Sequence, residues 1–201
     1  AGQGPISTGR ILVHQDVHHR FVEAFVARTK GLKLLDPLRD DADVGPMNND
    51  VVLAKALSHL EDARRRGAKV LVGGSNDGLY FTPTILDEAD RNMAITQLAT
   101  PGPIAPIITF AKLDEAVELA NCTQYGFQAG VFTSSLRNAF HLSENIKCGS
   151  VYVNQPTDCW DELAPFGGVK NSGMGRMLGP AALAQFSEPK MVMFDLSPLA
   201  G

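Results

Sequence analysis

The chain has 201 residues, 44% of them apolar and 20% charged, and its 18 Lys and Arg against 22 Asp and Glu give a formal net charge of −4. That balance suits an ordinary globular protein long enough for a sizeable core, and with no basic stripe interleaved with aromatics it excludes a nucleic-acid partner. There is no run of 18 apolar residues and no charged-then-apolar leader, so no membrane segment is expected and the chain is read as cytoplasmic; Cys122, Cys148 and Cys159 form no C-x-x-C pair, which argues against a zinc site or a disulfide framework.

Residues 1–10, "AGQGPISTGR", read as a polar, permissive loop that delivers the chain onto a strand, "ILVH". Loops on a rigid scaffold carry chemistry. Yet the best nucleophiles here are Ser7 and Thr8, and no His, Asp or Glu stands beside them in sequence to activate them. Asp16 is expected to cap the helix that follows, with Val17, Phe21, Phe25, Val26 and Leu32 near helical spacing. A Pro/Gly/Asp-rich loop over 36–50 leads to a second helix. That helix carries Leu53, Leu57, Leu60 and Ala63 on one face, Arg64, Arg65 and Arg66 in its last turn, and Gly67 as its stop.

"AKVLVGG" then reads as a strand and "SNDG" as a turn. "YFTPTIL" and "PIAPIITF" read as extended, and their prolines predict edge strands or strand starts. A helix "LDEAVELANCT", a strand "FQAGVFT", a helix "SLRNAFHLSENI" and a strand "GSVYVN" follow. After an irregular stretch over 155–179, Pro180 opens a helix, "PAALAQF", and Lys190–Phe194, "KMVMF", closes as a strand. The alternation predicts an α/β fold, a mainly parallel sheet with helices on both faces. Residues 1–201 are read as one domain, which opens inside a loop as a fragment would.

Ala164–Arg176, "APFGGVKNSGMGR", resembles a stretch of the NAD(P)-dependent aldehyde dehydrogenases. So do "DADVGPM", "YFTPTIL", "GPIAPI", "ELANCTQYGFQAGVFT" and "GSVYVN", in the order that family uses. The resemblance spans essentially the whole chain and is to the carboxyl-side catalytic domain, closest to members acting on aromatic or short aldehydes. It implies oxidation of an aldehyde to an acid: a thiolate attacks, hydride leaves to the nicotinamide, and water releases the product.

The resemblance also locates departures. The nucleophilic cysteine of the family falls two residues after the Gly-Gln pair, at Pro5. Proline supplies neither a nucleophile nor the N–H that helps hold the oxyanion. The family Glu that holds the nicotinamide ribose falls at Ala99, and the Phe that packs near the nicotinamide falls at Pro101. Many members have Glu where Met177 stands. The family's nucleotide-binding domain, general-base Glu and oxyanion Asn precede the cysteine and are not among these residues, and no G-x-G-x-x-G follows a strand. The expectation is a redox-inactive chain that by itself binds neither NAD nor NADP.

Phe166 is implied to line a substrate tunnel, the alternative being a core aromatic. Cys159 and Trp160 are implied to form the tunnel's outer wall. Cys159 is a substitute nucleophile or an inert packing residue, and Asp158, Asp161 and Glu162 are a pocket-mouth base or a solvated face. Lys170, Cys122 and Cys148 read as structural. His18 and His19, adjacent on a helix, point to different faces and do not form a metal pair. The expected ligand is small and apolar or aromatic, taken up for binding or for a non-redox reaction such as a cyclisation; a structural module and one part of a split enzyme are the alternatives. The closing strand is expected to extend a second copy's sheet, giving a homodimer.

Overall fold

The computed structural model describes residues 1–159 and 161–197. In chain order the elements are β1 (Ile11–His14), α1 (Gln15–Lys30), α2 (Asp50–Arg65), β2 (Lys69–Val72), β3 (Asn76–Asp77), β4 (Tyr80–Phe81), β5 (Thr84–Asp87) and α3 (Ala94–Gln97). There follow β6 (Ile104–Phe110), α4 (Leu113–Asn121), β7 (Tyr125–Gly126), β8 (Gln128–Val131), α5 (Leu136–Asn145), β9 (Ser150–Val153), β10 (Val169–Lys170) and α6 (Gly179–Gln185).

The principal sheet has the order β1-β6-β5-β2, with β1, β6 and β5 parallel and β2 antiparallel at one side. Side chains alternate across it. Val13, Ile85 and Ile107 face one way, onto Phe21, Val22, Phe25 and Val26 of α1. Leu86, Ile104 and Ile108 belong to the other core, with Leu53, Ala56, Leu60 and Ala63 of α2 and Leu119 of α4. The predicted α/β fold with helices on both faces is what forms. A second parallel pair, β8 with β9, is bridged by α5, and β7 pairs antiparallel with β10.

Three local expectations are corrected. The cap of α1 is His14, whose Nδ1 accepts from the Asp16 N–H at 3.3 Å; Asp16 sits in the first turn, where its charge suits the helix dipole. Second, Pro106 lies in β6, an interior strand. The carbonyls of Pro103 and Ile107 accept from Thr84 and Ala89, so odd-numbered residues of β6 turn their polar backbone toward β5. Pro106 therefore faces β1, whose register begins one residue later at Ile107, and no ladder bond is lost. Third, Lys190–Phe194 is not a strand: no ladder partner is found for it among the described residues, and Met191, Met193 and Phe194 are exposed.

Candidate functional site

The opening loop is fastened on several sides. Gly2 has φ +66, its carbonyl accepts from the Gly102 N–H at 3.1 Å, and a Cβ there would lie 2.1 Å from the Gly102 oxygen. Only glycine fits that approach. The Gln3 amide accepts from the Asn48 N–H at 2.8 Å and donates to the Pro46 carbonyl at 3.2 Å. Thr157 donates its hydroxyl to the Ile6 carbonyl at 2.8 Å. Arg10 donates to the carbonyls of Leu119 and Ala120, the end of α4, at 2.8 and 3.1 Å. Burial pulls the Arg10 guanidinium below its ordinary pKa, and nearby Cys122 partly offsets this. Between these anchors the Ser7 N–H closes a turn onto the Gly4 carbonyl at 3.1 Å, with Pro5 at its exposed second position. Thr8 reaches the Thr157 hydroxyl at 3.5 Å.

The Gly2–Gly102 contact brings this loop beside Ala99 and Pro101. Ala99 is exposed and Pro101 half-buried. Thr100 between them turns its hydroxyl to His59 Nδ1, 2.7 Å away on α2. Burial lowers the His59 pKa, Lys55 lowers it further, and Asp62 pulls it back up. Asp62 in turn accepts from the Ala94 N–H at 2.8 Å and from Arg66 at 2.9 Å, which hold its carboxyl below the usual range and tie α3 to α2. Nothing in the sequence pattern singles out His59, because its partner is 41 residues away.

Phe166 and Cys159 line one cavity of about 190 Å³. Ser150, Val151 and Tyr152 of β9 form one part of its wall, and Asp161, Ala164, Pro165 and Leu178 complete it. Phe166 packs edge-on against Phe127 at 5.2 Å and is bridged to Met177 by two backbone hydrogen bonds of 2.8 and 2.7 Å. Arg176 donates to the carbonyls of Gly168 and Gly175, both at 2.8 Å, and so folds the glycine-rich stretch around itself. A Cβ on Gly149 would stand 1.6 Å from the Gly167 carbonyl, which explains why this crossing needs glycine.

The remaining predicted residues are placed as follows. The Cys159 thiol meets the Gln155 amide oxygen at 3.6 Å. Asp161 accepts from the Leu163 N–H at 2.9 Å, and Asp158, Asp161 and Glu162 are exposed. Lys170 donates to the carbonyls of Asn121, the last residue of α4, and Thr123 just beyond it. Cys122 bonds the Leu119 carbonyl, and burial raises the Cys148 thiol pKa. His18 pairs with Asp87 at 2.8 Å on the sheet, while His19 is exposed. No metal-holding group of His, Cys, Asp and Glu occurs among the described residues. Trp160 lies outside the described residues. A larger open groove of about 450 Å³ runs from Leu34–Asp36 to Ser75–Thr82 and contains none of the predicted residues.

Comparison with known proteins points one way. The aldehyde dehydrogenase family's sequence pattern matches residues 1–192. The chain is 35% identical over 199 residues to a benzaldehyde dehydrogenase [NAD(+)] of Pseudomonas putida, covering 98% of this chain and 41% of that protein. It is 33% identical to a succinate semialdehyde dehydrogenase of Acinetobacter baylyi, again over 41% of that protein. Among solved structures, an NAD-dependent aldehyde dehydrogenase of Sinorhizobium meliloti superposes with a TM-score of 0.95 at 31% identity, covering 100% of this chain and 40% of that one. The chain thus spans about two fifths of the length of these relatives.

Proposed function

This chain belongs to the aldehyde dehydrogenase family, and we propose that it is a redox-silent portion of that family's catalytic scaffold that keeps a pocket for a small apolar or single-ring ligand. The family's relatives oxidise aldehydes, and the reaction needs a thiolate where the resemblance puts Pro5. One observation carries the reading. The loop keeps its anchors at Gly2, Gln3, Ile6 and Arg10, while its exposed turn position is a proline. A proline nitrogen inside a peptide neither attacks a carbonyl nor donates to an oxyanion. Loss of one oxyanion donor alone costs about a hundred- to a thousandfold in rate.

The side chains present do not fit a nicotinamide cofactor at the two positions the resemblance assigns to it. Ala99 offers a methyl group where a ribose hydroxyl needs an acceptor, and the Thr100 hydroxyl beside it is already engaged by His59. Pro101 offers less surface than the Phe it replaces.

The 190 Å³ cavity supports the ligand part of the proposal. An apolar cavity of about 150 Å³ is enough for benzene. Phe166, Pro165 and Leu178 contribute apolar residues to its lining, alongside Ser150, Val151 and Tyr152 of β9. Cys159 is an inert part of this wall. A second reading, that the chain is one part of a longer or split enzyme, is favoured by its covering 41% of its relatives; Pro5 argues against restored catalysis even then, since an added domain does not return the thiol. The exposed run Lys190–Phe194 is proposed to pair with a second copy of the chain.

Titration calorimetry tests the reading. NAD and NADP are expected to give no heat of binding, whereas benzyl alcohol binds on the order of millimolar, as suits so few atoms. A micromolar dissociation constant for either dinucleotide overturns it.

A further inference from the structure

Leu178 lines the 190 Å³ cavity with a backbone that leucine seldom adopts, at φ 64 and ψ 161. That region is essentially reserved for glycine, because an L side chain there meets its own backbone. The neighbours explain why the chain holds it. On one side, Met177 is locked to Phe166 by hydrogen bonds in both directions, 2.8 and 2.7 Å. On the other, the Gly179 N–H donates to the Glu162 carbonyl at 3.1 Å, and Gly179 lies so close to Leu163 that a Cβ would stand 2.3 Å from its oxygen. The Leu178 carbonyl itself accepts from the Ala182 N–H at 3.2 Å to start α6. The chain reverses between these two fixed points at Leu178 and Gly179, both at positive φ, and Leu178 is the one of the two that carries a side chain.

We propose that Leu178 is the specificity-determining residue of this pocket: the anchored reversal holds its isobutyl group in the cavity and limits the length of the ligand that fits. The proposal rests on the pocket reading above. It is independent of any redox step. Glycine would satisfy the backbone at this position at no steric cost, so the presence of a leucine here points to work done by its side chain. In an apolar pocket one misfitting methylene is worth about tenfold or more. Shortening the side chain therefore admits a longer ligand rather than simply loosening the site.

The test compares benzyl alcohol, 4-methylbenzyl alcohol and 4-propylbenzyl alcohol, titrated by ligand-observed NMR against the wild-type chain, Leu178→Ala and Leu178→Gly. Wild type is expected to favour the two shorter alcohols, and Leu178→Ala to shift the ratio toward 4-propylbenzyl alcohol by about tenfold or more. Thermal melting gives a second readout. Glycine is ordinarily less stable than alanine, but here Leu178→Gly is expected to melt above Leu178→Ala, because it alone relieves the backbone. If wild type binds none of the three alcohols, the pocket reading fails and this inference with it. If wild type binds and Leu178→Ala keeps the same ranking, this inference alone is wrong. If Leu178→Gly melts below Leu178→Ala, the anchored-reversal argument is wrong.

Discussion

Replacing Arg10 by methionine keeps the apolar stem of the side chain and removes the fork that closes α4. Two charge-assisted hydrogen bonds are lost, to the Leu119 carbonyl at 2.8 Å and the Ala120 carbonyl at 3.1 Å. Each such bond is worth about 1.5–3 kcal/mol net, and a cation at a helix C-terminus adds up to about 2 in a partly buried setting. Against this, the variant no longer desolvates a guanidinium, a cost visible in the lowered pKa of Arg10. The expected net destabilisation is about 2–3 kcal/mol, a fall in melting temperature of roughly 4–12 °C at 2–4 °C per kcal/mol for a chain of this size. Urea unfolding followed by far-UV circular dichroism measures it. Arg10→Lys should recover less than half, since a point-like ammonium cannot fork between two carbonyls. A loss below about 0.5 kcal/mol in Arg10→Met, or full recovery by lysine, would refute the view that Arg10 is the structural pin of the opening loop.

Protonation of His59 is expected to loosen the Ala99–Pro101 segment. Its pKa in the fold is below the ordinary histidine value of about 6.5, so the neutral ring is favoured on folding; the stability this gives is complete above that value and is lost as pH falls below it. His59→Gln, which can still bond Thr100, should flatten the difference in denaturation midpoint between about pH 7 and pH 5; an unchanged slope contradicts the assignment. Light scattering on the full chain and on a chain ending at Ser187 examines assembly: a dimer that weakens on shortening is expected, and a monomeric full chain, or a shortened chain that dimerises as tightly, rules out pairing through residues 190–194.

The elements legible in the sequence are those whose cause is local. The apolar period of α2, with Leu53, Leu60 and Ala63, is met by a core that buries those residues, and Gly67 stops the helix with φ +100. Pro106 could not be placed from sequence, because its tolerance depends on where the β1 ladder begins, a fact of register between distant strands. "KMVMF" has the composition of a strand, but a strand also needs an edge to pair with, and that is not a property of the segment. Phe166 was singled out by the Ala164–Arg176 stretch and Cys159 by the loop ahead of it, and both line the same cavity. Leu178 was not, since its side chain is ordinary and only its backbone, fixed by Phe166, Glu162 and Leu163, sets it apart.

The account turns on whether the chain can oxidise an aldehyde at all. Formation of reduced nicotinamide, followed by absorbance with NAD or NADP across aromatic and aliphatic aldehydes, measures this for the wild-type chain, Pro5→Cys and Cys159→Ala. The account predicts no aldehyde-dependent signal from any of the three, including Pro5→Cys, since a thiol at that turn does not return an acceptor at Ala99, where the resemblance places the ribose contact. Robust turnover by the wild-type chain that disappears in Cys159→Ala would contradict it, and would make Cys159 the nucleophile.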